Sequence, residues 1–316
     1  MKLITKRIAK YYKYLILIKY YAKKLSFSKN YNKPVIIVCF DGNFSHGGLV
    51  DRLKGIISFY QISKILDYDF KVFFKHPFDL RDFLNPNLID WSINEKDLKY
   101  SPFSFKILYL MNDFKTNPLH IFAKSKAKTF FVYSNVDYLP TLFPDKKEQE
   151  IKTIWRNNYK ELFKISDYLK EKLKLLPEDF RLAFHTRFTT LIGDFSDSTK
   201  LVLSENEKMI LIQKVIKSID EAASQYPDKI KYVFSDSTFF LQYIKTHTNY
   251  KTLDGAPKHL ENNNSDIDYH SKTFLDFYFL AESDMIFSVK IDEMYFSSFS
   301  KYAAIVGNKD FKRIMN

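Results

Sequence analysis

The sequence has little cysteine, little glycine and no acidic residue near its start, and each scarcity narrows the class of protein. A single cysteine, Cys39, among 316 residues excludes a disulfide framework and a cysteine-rich zinc site. It lies in the apolar run 35–40, so we expect a buried, unreactive thiol and a reducing compartment. With only 7 glycines, each is expected where the backbone bends or a ligand comes close. Hydrophobic residues make up 46% of the chain, enough for one large domain or two smaller ones.

The positive charge is concentrated at one end of the chain. Residues 1–33 contain no Asp or Glu but ten Lys or Arg, whereas the whole chain has a net charge of +12. Residues 34–316 therefore carry only +2. Because the body of the protein is nearly neutral, the main argument for a nucleic-acid-binding surface is lost, and we expect no nucleic-acid partner.

The basic segment is predicted to form an amphipathic helix. At 100° per residue, one apolar stripe about 100° wide contains Ile4, Ile8, Tyr11, Leu15, Ile18, Ala22 and Leu25. Its longest apolar run, residues 14–18, is too short to span a bilayer, and the segment lacks a signal-peptidase site. Residues 1–25 fit an anionic membrane surface, which predicts a cytoplasmic protein held peripherally on the inner face of the cell membrane. The alternative is a terminal helix that packs on the body of the protein and exposes its lysines.

The rest of the chain alternates between predicted strands and helices, which favours parallel sheets covered on both faces. Strands are predicted at 34–40, 70–74, 129–133, 181–188, 231–235, 250–253 and 284–288. Helices are predicted at 49–66, 204–226, 238–246, 271–282 and 293–306, with Ser204 and Glu207 as a capping box. Residues 148–176 are predicted to form one or two helices. The pattern restarts near residue 177 and is unassigned over 75–128. We therefore predict an α/β protein with a basic segment at 1–33 and two domains at 34–176 and 177–316, facing a cleft.

The first candidate cluster follows the first strand, at residues 41–53. It holds three of the 7 glycines between a strand end and a helix start, where open α/β sheets bind ligands. It has neither the dinucleotide fingerprint nor the phosphate-loop lysine. A glycine turn that only reverses the chain is the alternative. The candidate site residues here are Asp41, His46, Gly47, Gly48 and Arg52.

The second and third clusters lie in the C-terminal half. His185 and Arg187 lie near the carboxyl end of a predicted strand. A guanidinium at this position could bind two oxygens of a diphosphate in a bidentate manner. The alternative is a surface ion pair between Arg187 and Asp194. The third cluster consists of hydroxyl and acidic side chains at other strand and helix ends, where they could hold phosphates, a ribose or a base edge: Ser235, Asp236, Ser237, Ser297, Ser298 and Ser300.

Together these clusters resemble the GDP-fucose-dependent fucosyltransferases. The strand followed by Gly-Gly-Leu-x-Asp-Arg-Leu-x-Gly at 47–55 resembles their opening element, and His185-x-Arg187 resembles their His-x-Arg motif. Segments 233–237 and 275–286 resemble later motifs, and 297–300 resembles the serine-rich donor loop. The resemblance covers about residues 34–310. It departs from the family at 188–194, where Arg-Gly-Asp or Arg-Thr-Asp is missing, and at 290–292, where the family often has Ser or Thr.

The resemblance implies two Rossmann-like domains in the GT-B arrangement. It also implies an inverting transfer from a GDP-sugar to a glycan acceptor without a metal or other cofactor, with L-fucose as the expected sugar. Cell-surface polysaccharide synthesis is the expected setting. Asp266-x-Asp268 lies in a polar loop and is not expected to hold Mg²⁺. The alternatives are a GDP-heptose or GDP-mannose donor, or a non-catalytic membrane-surface module.

The catalytic assignment starts from the charges of an inverting transfer. Arg187 would stabilise the negative charge that develops on the leaving group. His46 is the first candidate for the base that takes the acceptor proton. Asp41 and Asp194 are second candidates. His46 could instead donate to a phosphate or cap the helix. His259, in the polar loop after residue 253, could recognise the nucleoside or simply be exposed to solvent.

Overall fold

The computed structural model describes residues 2–22, 31–98, 100–177, 181–195, 200–258 and 266–315, and for 2–10 it describes the backbone only. The chain forms two compact units, which we call unit 1 (Met1–Lys164) and unit 2 (Ile165–Asn316). Both are mixed α/β with parallel sheets. His259 and Leu25 lie outside the described residues.

Unit 1 is built on a four-stranded parallel sheet with the strand order β2-β1-β5-β4. A short pair, β3 with β6, lies apart from it. The elements are α1 (Lys2–Ala22), β1 (Val35–Phe40), α2 (Leu49–Leu66), β2 (Asp69–Phe74), β3 (Leu84–Pro86), β4 (Phe105–Leu110), α3 (Pro118–Ala123), β5 (Thr129–Ser134), α4 (Leu139–Leu142), α5 (Glu148–Leu162) and β6 (Phe163–Ile165).

The central position of β1 explains its apolar sequence, because a parallel strand covered on both faces buries every side chain. All six residues of β1 are buried, and Cys39 is 0% exposed, as predicted. Burial raises the pKa of the Cys39 thiol, which keeps it protonated and unreactive. Helix α2 packs closely on β5, since a Cβ on Gly55 would lie 2.3 Å from the carbonyl oxygen of Ser134.

Unit 2 repeats this plan with the strand order β10-β9-β7-β8, again all parallel. Phe184 and Phe287 stack at 4.9 Å in its core. The elements are α6 (Asp167–Lys174), β7 (Arg181–Thr186), α7 (Glu205–Ala223), β8 (Ile230–Phe234), α8 (Thr238–His247), α9 (Ile267–Glu282), β9 (Met285–Lys290), α10 (Phe299–Gly307) and β10 (Asp310–Met315).

Most predicted elements are confirmed, including α2 and the capping box of Ser204 and Glu207. The predicted strand 250–253 is wrong, because only Lys251 bridges to Tyr232. The predicted helix 293–306 starts later, at Phe299. Strands β3, β4, β6 and β10 were not predicted. The boundary between the units lies at 164/165 rather than at 176/177, and helix α6 contacts α9 within unit 2.

Helix α1 packs on unit 1 through a face other than the predicted stripe. Leu17 and Tyr21 are 0% exposed, and the Tyr21 ring stacks on Phe131 at 4.0 Å. Two stripe members, Leu15 and Ile18, remain 49% and 48% exposed. The helix therefore has two apolar faces, one buried against the unit and one open. Within the described residues, no helix has the length and apolarity to cross a membrane.

Candidate active site

Two buried polar atoms point to a ligand site at the carboxyl end of the unit 2 sheet. His185, on β7, is 8% exposed, and Ser300, in the first turn of α10, is 0% exposed. Among the described residues neither His185 Nδ1 nor Ser300 Oγ has a hydrogen-bond partner. The His185 ring stacks on Phe299, at the start of the same helix, at 5.5 Å. Because buried polar groups normally find partners, this edge of the sheet offers hydrogen-bonding capacity to a ligand.

The electrostatics around His185 favour a neutral imidazole. Burial, together with the positive charge of Arg187, lowers the pKa of His185 to about 3. The ring therefore carries no charge at neutral pH, and it can donate one hydrogen bond and accept another. The positive charge of the site comes from Arg187 instead.

Arg187 follows β7 directly and remains 25% exposed. Its guanidinium lies between two aromatic rings, 5.5 Å from the Phe195 centroid and 5.9 Å from that of Tyr295. Its Nε is 3.9 Å from Asp236 Oδ2. The carboxylate beside Arg187 thus belongs to Asp236, whereas the sequence alternative named Asp194. At 3.9 Å this contact is longer than a hydrogen bond, so it is an ion pair between the two charged groups.

Asp236 anchors the loop that carries Arg187. Its two carboxylate oxygens accept hydrogen bonds from the amides of Phe188 and Thr189, both at 2.8 Å. Thr189 has a φ of 55°, a conformation that a β-branched residue rarely adopts. Burial raises the pKa of Asp236, although Arg187 and the two amides oppose this rise. The contacts of Asp236 hold the backbone of residues 188 and 189, and these contacts are enough to explain why its carboxylate is buried. Binding of the sugar donor by Asp236 stays a prediction.

Asp194 and the nearby serines organise the start of α8. Asp194 Oδ2 accepts hydrogen bonds from the Ser237 hydroxyl at 3.0 Å and the Phe239 amide at 2.7 Å. Ser237 Oγ accepts from the Phe240 amide, and Ser235 Oγ accepts from the Ser237 amide. These bonds satisfy amides at a helix start, which is a capping role. Asp194 thus has a structural role at the start of α8, and its role as a base stays a prediction.

The last serines surround the start of α10. Ser298 is the residue before the helix, and Ser297 Oγ accepts a hydrogen bond from the Phe299 amide at 3.2 Å. Strand β7 neighbours both β8 and β9, so the ends that carry the His-x-Arg motif and the serines share one edge of the sheet. The structure thus brings together the predicted residues of unit 2, apart from His259.

In unit 1 the predicted residues lie in the loop between β1 and α2. Gly47 has a φ of 77°, and Gly48 is the N-cap of α2. Arg52, predicted to bind the donor, is 1% exposed. Its Nε donates to the Gly47 carbonyl at 3.1 Å, and its Nη1 donates to the His76 carbonyl at 2.5 Å. The guanidinium therefore holds two loops together, and donor binding by Arg52 stays a prediction.

Asp41 is the centre of a buried hydrogen-bond chain that sequence reasoning missed. The Tyr133 hydroxyl donates to Asp41 Oδ2 at 2.6 Å and lies 2.8 Å from the Tyr21 hydroxyl on α1. The amide of Asn43 donates to Oδ1 at 3.0 Å. Burial would raise the pKa of Asp41, but His46, Tyr133 and Asn43 outweigh it and lower the pKa. The position of Tyr133 at a strand end was the one sequence signal for this chain.

His46 is also buried, with 1% of its side chain exposed. Its Nε2 accepts a hydrogen bond from the Gly42 amide at 3.2 Å and lies 3.7 Å from Asp41 Oδ1. These contacts close the loop on itself, and the role of His46 as a base stays a prediction.

The described carboxylates, histidines and cysteine do not form a metal site. Among the described residues, no group of three or more His, Cys, Asp or Glu side chains is arranged to bind a metal ion. Asp266 Oδ1 accepts from the Asp268 amide at the start of α9, and Asp268 pairs with Lys172 at 2.6 Å. Both carboxylates of the Asp-x-Asp sequence therefore have structural partners.

Comparison with known proteins identifies relatives in structure rather than in sequence. No protein-family model matches the chain, and no curated protein sequence matches it significantly. The crystal structure of NodZ alpha-1,6-fucosyltransferase soaked with GDP-fucose gives a TM-score of 0.53 at 12% identity, over 87% of this chain and 93% of its own. The protein shares the fold of a glycosyltransferase.

Two further structures support this likeness. NodZ alpha-1,6-fucosyltransferase co-crystallised with GDP gives a TM-score of 0.52 at 14% identity, over 86% of this chain and 92% of its own. Fucosyltransferase NodZ from Bradyrhizobium gives 0.52 at 14% identity, over 86% and 93%. At such identities the likeness concerns the fold, so the activity has to be argued from the site.

Proposed function

We propose that this protein is an inverting, metal-independent glycosyltransferase that moves a sugar from a GDP-sugar to a glycan acceptor in cell-surface polysaccharide synthesis, with L-fucose as the donor sugar. The observation that carries the proposal is the pair of unpartnered buried atoms, His185 Nδ1 and Ser300 Oγ, beside Arg187. Two units in the GT-B arrangement belong to the same proposal. Neighbouring structures that bind GDP-fucose or GDP support the choice of donor.

The donor diphosphate would lie at the carboxyl end of β7 and the start of α10. The Arg187 guanidinium would bind it in a bidentate manner, while the amides at the helix start and the hydroxyls of Ser298 and Ser300 would donate to its oxygens. As the glycosidic bond to the diphosphate breaks, negative charge grows on the leaving oxygen. These groups would stabilise that charge because they are fixed in place before the reaction.

The acceptor hydroxyl needs a base, and unit 1 offers two candidates, Asp41 and His46. The lowered pKa of Asp41 keeps it ionised at neutral pH, so it can accept a proton. Both side chains are only 1% exposed. The proposal therefore requires the loop 41–48 to open for catalysis, and the φ values of Gly42 and Gly47, 81° and 77°, mark where it bends.

Thermal unfolding with nucleotides tests the donor assignment. GDP at about 100 times its dissociation constant should stabilise the protein by about 2.7 kcal/mol, with or without Mg²⁺, and UDP should give no shift. The Ser300→Ala variant should bind GDP more weakly, whereas Ser224→Ala, on an exposed turn after α7, should bind it normally. Stabilisation by UDP alone would contradict the proposal, as would loss of transfer activity in EDTA. Transfer from GDP-fucose, GDP-mannose and GDP-heptose would separate the alternative donors.

A second proposed function is attachment to an anionic membrane surface through α1. Tyr11, Leu15 and Ile18 are 68%, 49% and 48% exposed, although the helix is docked on unit 1. The first 33 residues carry ten basic side chains and no acid, so their charge complements anionic lipids. The stripe and the charge together fit a helix that binds the protein body and a membrane at once, on the cytoplasmic face.

The test of membrane attachment uses point substitutions. Deleting residues 1–25 would also remove Leu17 and Tyr21 from the core of unit 1, so a truncated protein could misfold. Leu15→Gln with Ile18→Gln should instead reduce flotation with phosphatidylserine vesicles by about tenfold or more, since each loses a shallow apolar contact. Ile210→Gln, at a position 46% exposed on α7, is the matched control. Equal flotation of all variants would show that α1 only packs on the body.

A further inference from the structure

A cavity in unit 1 lies at the carboxyl end of β2 and has no role in the donor site. Its volume is about 250 Å³, just below the roughly 300 Å³ at which pockets for drug-sized ligands begin, so it suits a ligand of one ring. The wall includes the buried Trp91. The polar lining comes from Lys75, Asp79, Arg81, Asn94 and Glu95.

The charges in this lining are balanced and fixed by pairing. Lys75 Nζ lies 2.6 Å from Glu95 Oε2. The Arg81 Nε lies 3.0 Å from both oxygens of Asp79, and its Nη2 donates to Asn94 Oδ1 at 3.2 Å. Because each cation is already paired with a carboxylate, the lining offers no net positive charge to attract a phosphate or a carboxylate ligand.

A neutral polyhydroxyl ligand matches this lining better. Each sugar hydroxyl can donate one hydrogen bond and accept others. The carboxylates of Asp79 and Glu95 accept, whereas Lys75 and Arg81 donate. Because the pairs already hold these groups in place, little side-chain freedom is lost when a ligand binds. The half-exposed rim, with Arg81 and Asp79 each 41% exposed, leaves the polar atoms accessible.

The cavity lies beside the loop proposed to carry the base. The amides of Lys75 and His76 both donate to the Phe40 carbonyl, at 2.9 and 3.0 Å, and Phe40 directly precedes Asp41. Strands β1 and β2 are neighbours in the sheet, about 4.8 Å apart. A ring held in the cavity would thus lie one strand away from Asp41.

We propose that this cavity is a subsite for one neutral sugar ring of the acceptor glycan. The proposal rests on the proposed function, which supplies the acceptor, but the cavity's ligand class follows from its own lining. The subsite lies within unit 1, whereas the donor residues His185 and Arg187 lie in unit 2. The two sites can therefore be tested separately.

Saturation-transfer NMR on the full-length protein tests the subsite, with neutral methyl glycosides of hexoses, 6-deoxyhexoses and N-acetylhexosamines as probes. At least one probe should bind at up to about 20 mM, within the weak range expected for a single small ligand. Inorganic phosphate should not displace it. Arg81→Lys keeps the charge and loses the fork, and Glu95→Gln keeps the shape. Each should raise the dissociation constant by about tenfold, because a hydrogen bond to a charged group is lost.

The control is Gln149→Ala, an exposed position on α5 outside the cavity, which should bind the probe as the unsubstituted protein does. Thermal unfolding of all variants establishes that they are folded. No binding of any glycoside would overturn the subsite, as would binding that is displaced by phosphate or unchanged in both cavity variants. GDP stabilisation is measured in parallel. Glycoside binding without GDP binding would reject the proposed donor and keep the subsite, and the reverse result would reject only the subsite.

Discussion

Replacing His185 by Gln should remove the part of the pH dependence of unit 2's stability that comes from the titration of the His185 imidazole. The pKa of His185 falls from 6.5 to about 3 in the folded protein, because of burial and then Arg187. Between these two pH values the unfolded chain binds one more proton than the folded chain. Stability therefore decreases as pH falls through this window, by up to about 1.4 kcal/mol per pH unit. Over the whole window the shift corresponds to about 5 kcal/mol.

The difference between wild type and His185→Gln isolates this effect. From pH 7.5 to pH 5 the stability of the wild type relative to the variant should fall by about 2 kcal/mol. Burial also raises the pKa values of Asp236 and Asp276, but both groups are present in both proteins and largely cancel. His247→Gln, at an exposed position of α8, is the matched control and should show the wild-type pH dependence.

The measurement must report on unit 2. Trp91 and Trp155, the two tryptophans, both lie in unit 1, so tryptophan fluorescence would follow the other unit. Hydrogen exchange of peptides that cover residues 181–188, corrected for the intrinsic effect of pH, gives the opening free energy of β7 directly. If the difference in opening free energy between wild type and His185→Gln did not change with pH, the claim that its surroundings hold His185 neutral would be refuted.

Two further predictions concern the same unit. Arg187→Lys should reduce transfer by about 100-fold at an unchanged melting temperature, because Lys keeps the charge but not the fork; wild-type turnover would show that Arg187 is structural. Gly307→Ala should destabilise unit 2 by about 3 kcal/mol in the same exchange assay, because its Cβ would lie 1.7 Å from the Ala281 carbonyl oxygen. The control Gly48→Ala lies in unit 1, and its Cβ would meet nothing within 4 Å. It should cost under about 1 kcal/mol when exchange is followed in peptides of α2, and equal effects of the two substitutions would contradict the packing argument.

Much of the fold followed from local sequence patterns. Helix α2 was predicted with the observed bounds, and the six buried residues of β1 were recognised from an uninterrupted apolar run. These patterns are reliable because helix and strand periodicity depends on neighbouring residues. The segment 75–128 failed for the same reason. Its 3-10 turns, the short strand β3 and the six-residue helix α3 have no room to develop a periodicity, and the six-residue strand β4 between them was missed.

The candidate site was predicted in part. Strand ends and helix starts are visible in sequence, so His185, Arg187 and the serines of 297–300 were predicted to lie at such ends, although not at one edge of the same sheet. Which polar side chains are already paired was not visible. Arg52 is buried against two backbone carbonyls, and Asp194 caps α8. Such roles depend on groups that come together only when the chain folds.

The sequence by itself determined the α/β class, the order of the elements and the basic character of the first 33 residues. Tertiary structure decided which face of α1 is buried, and it joined Tyr21, Tyr133 and Asp41 across 112 and 92 positions of the chain. A hydrogen bond between such distant residues leaves no periodic trace in sequence, because its geometry depends on how the strands and helices pack. The environment of each candidate catalytic group therefore had to be read from the folded protein.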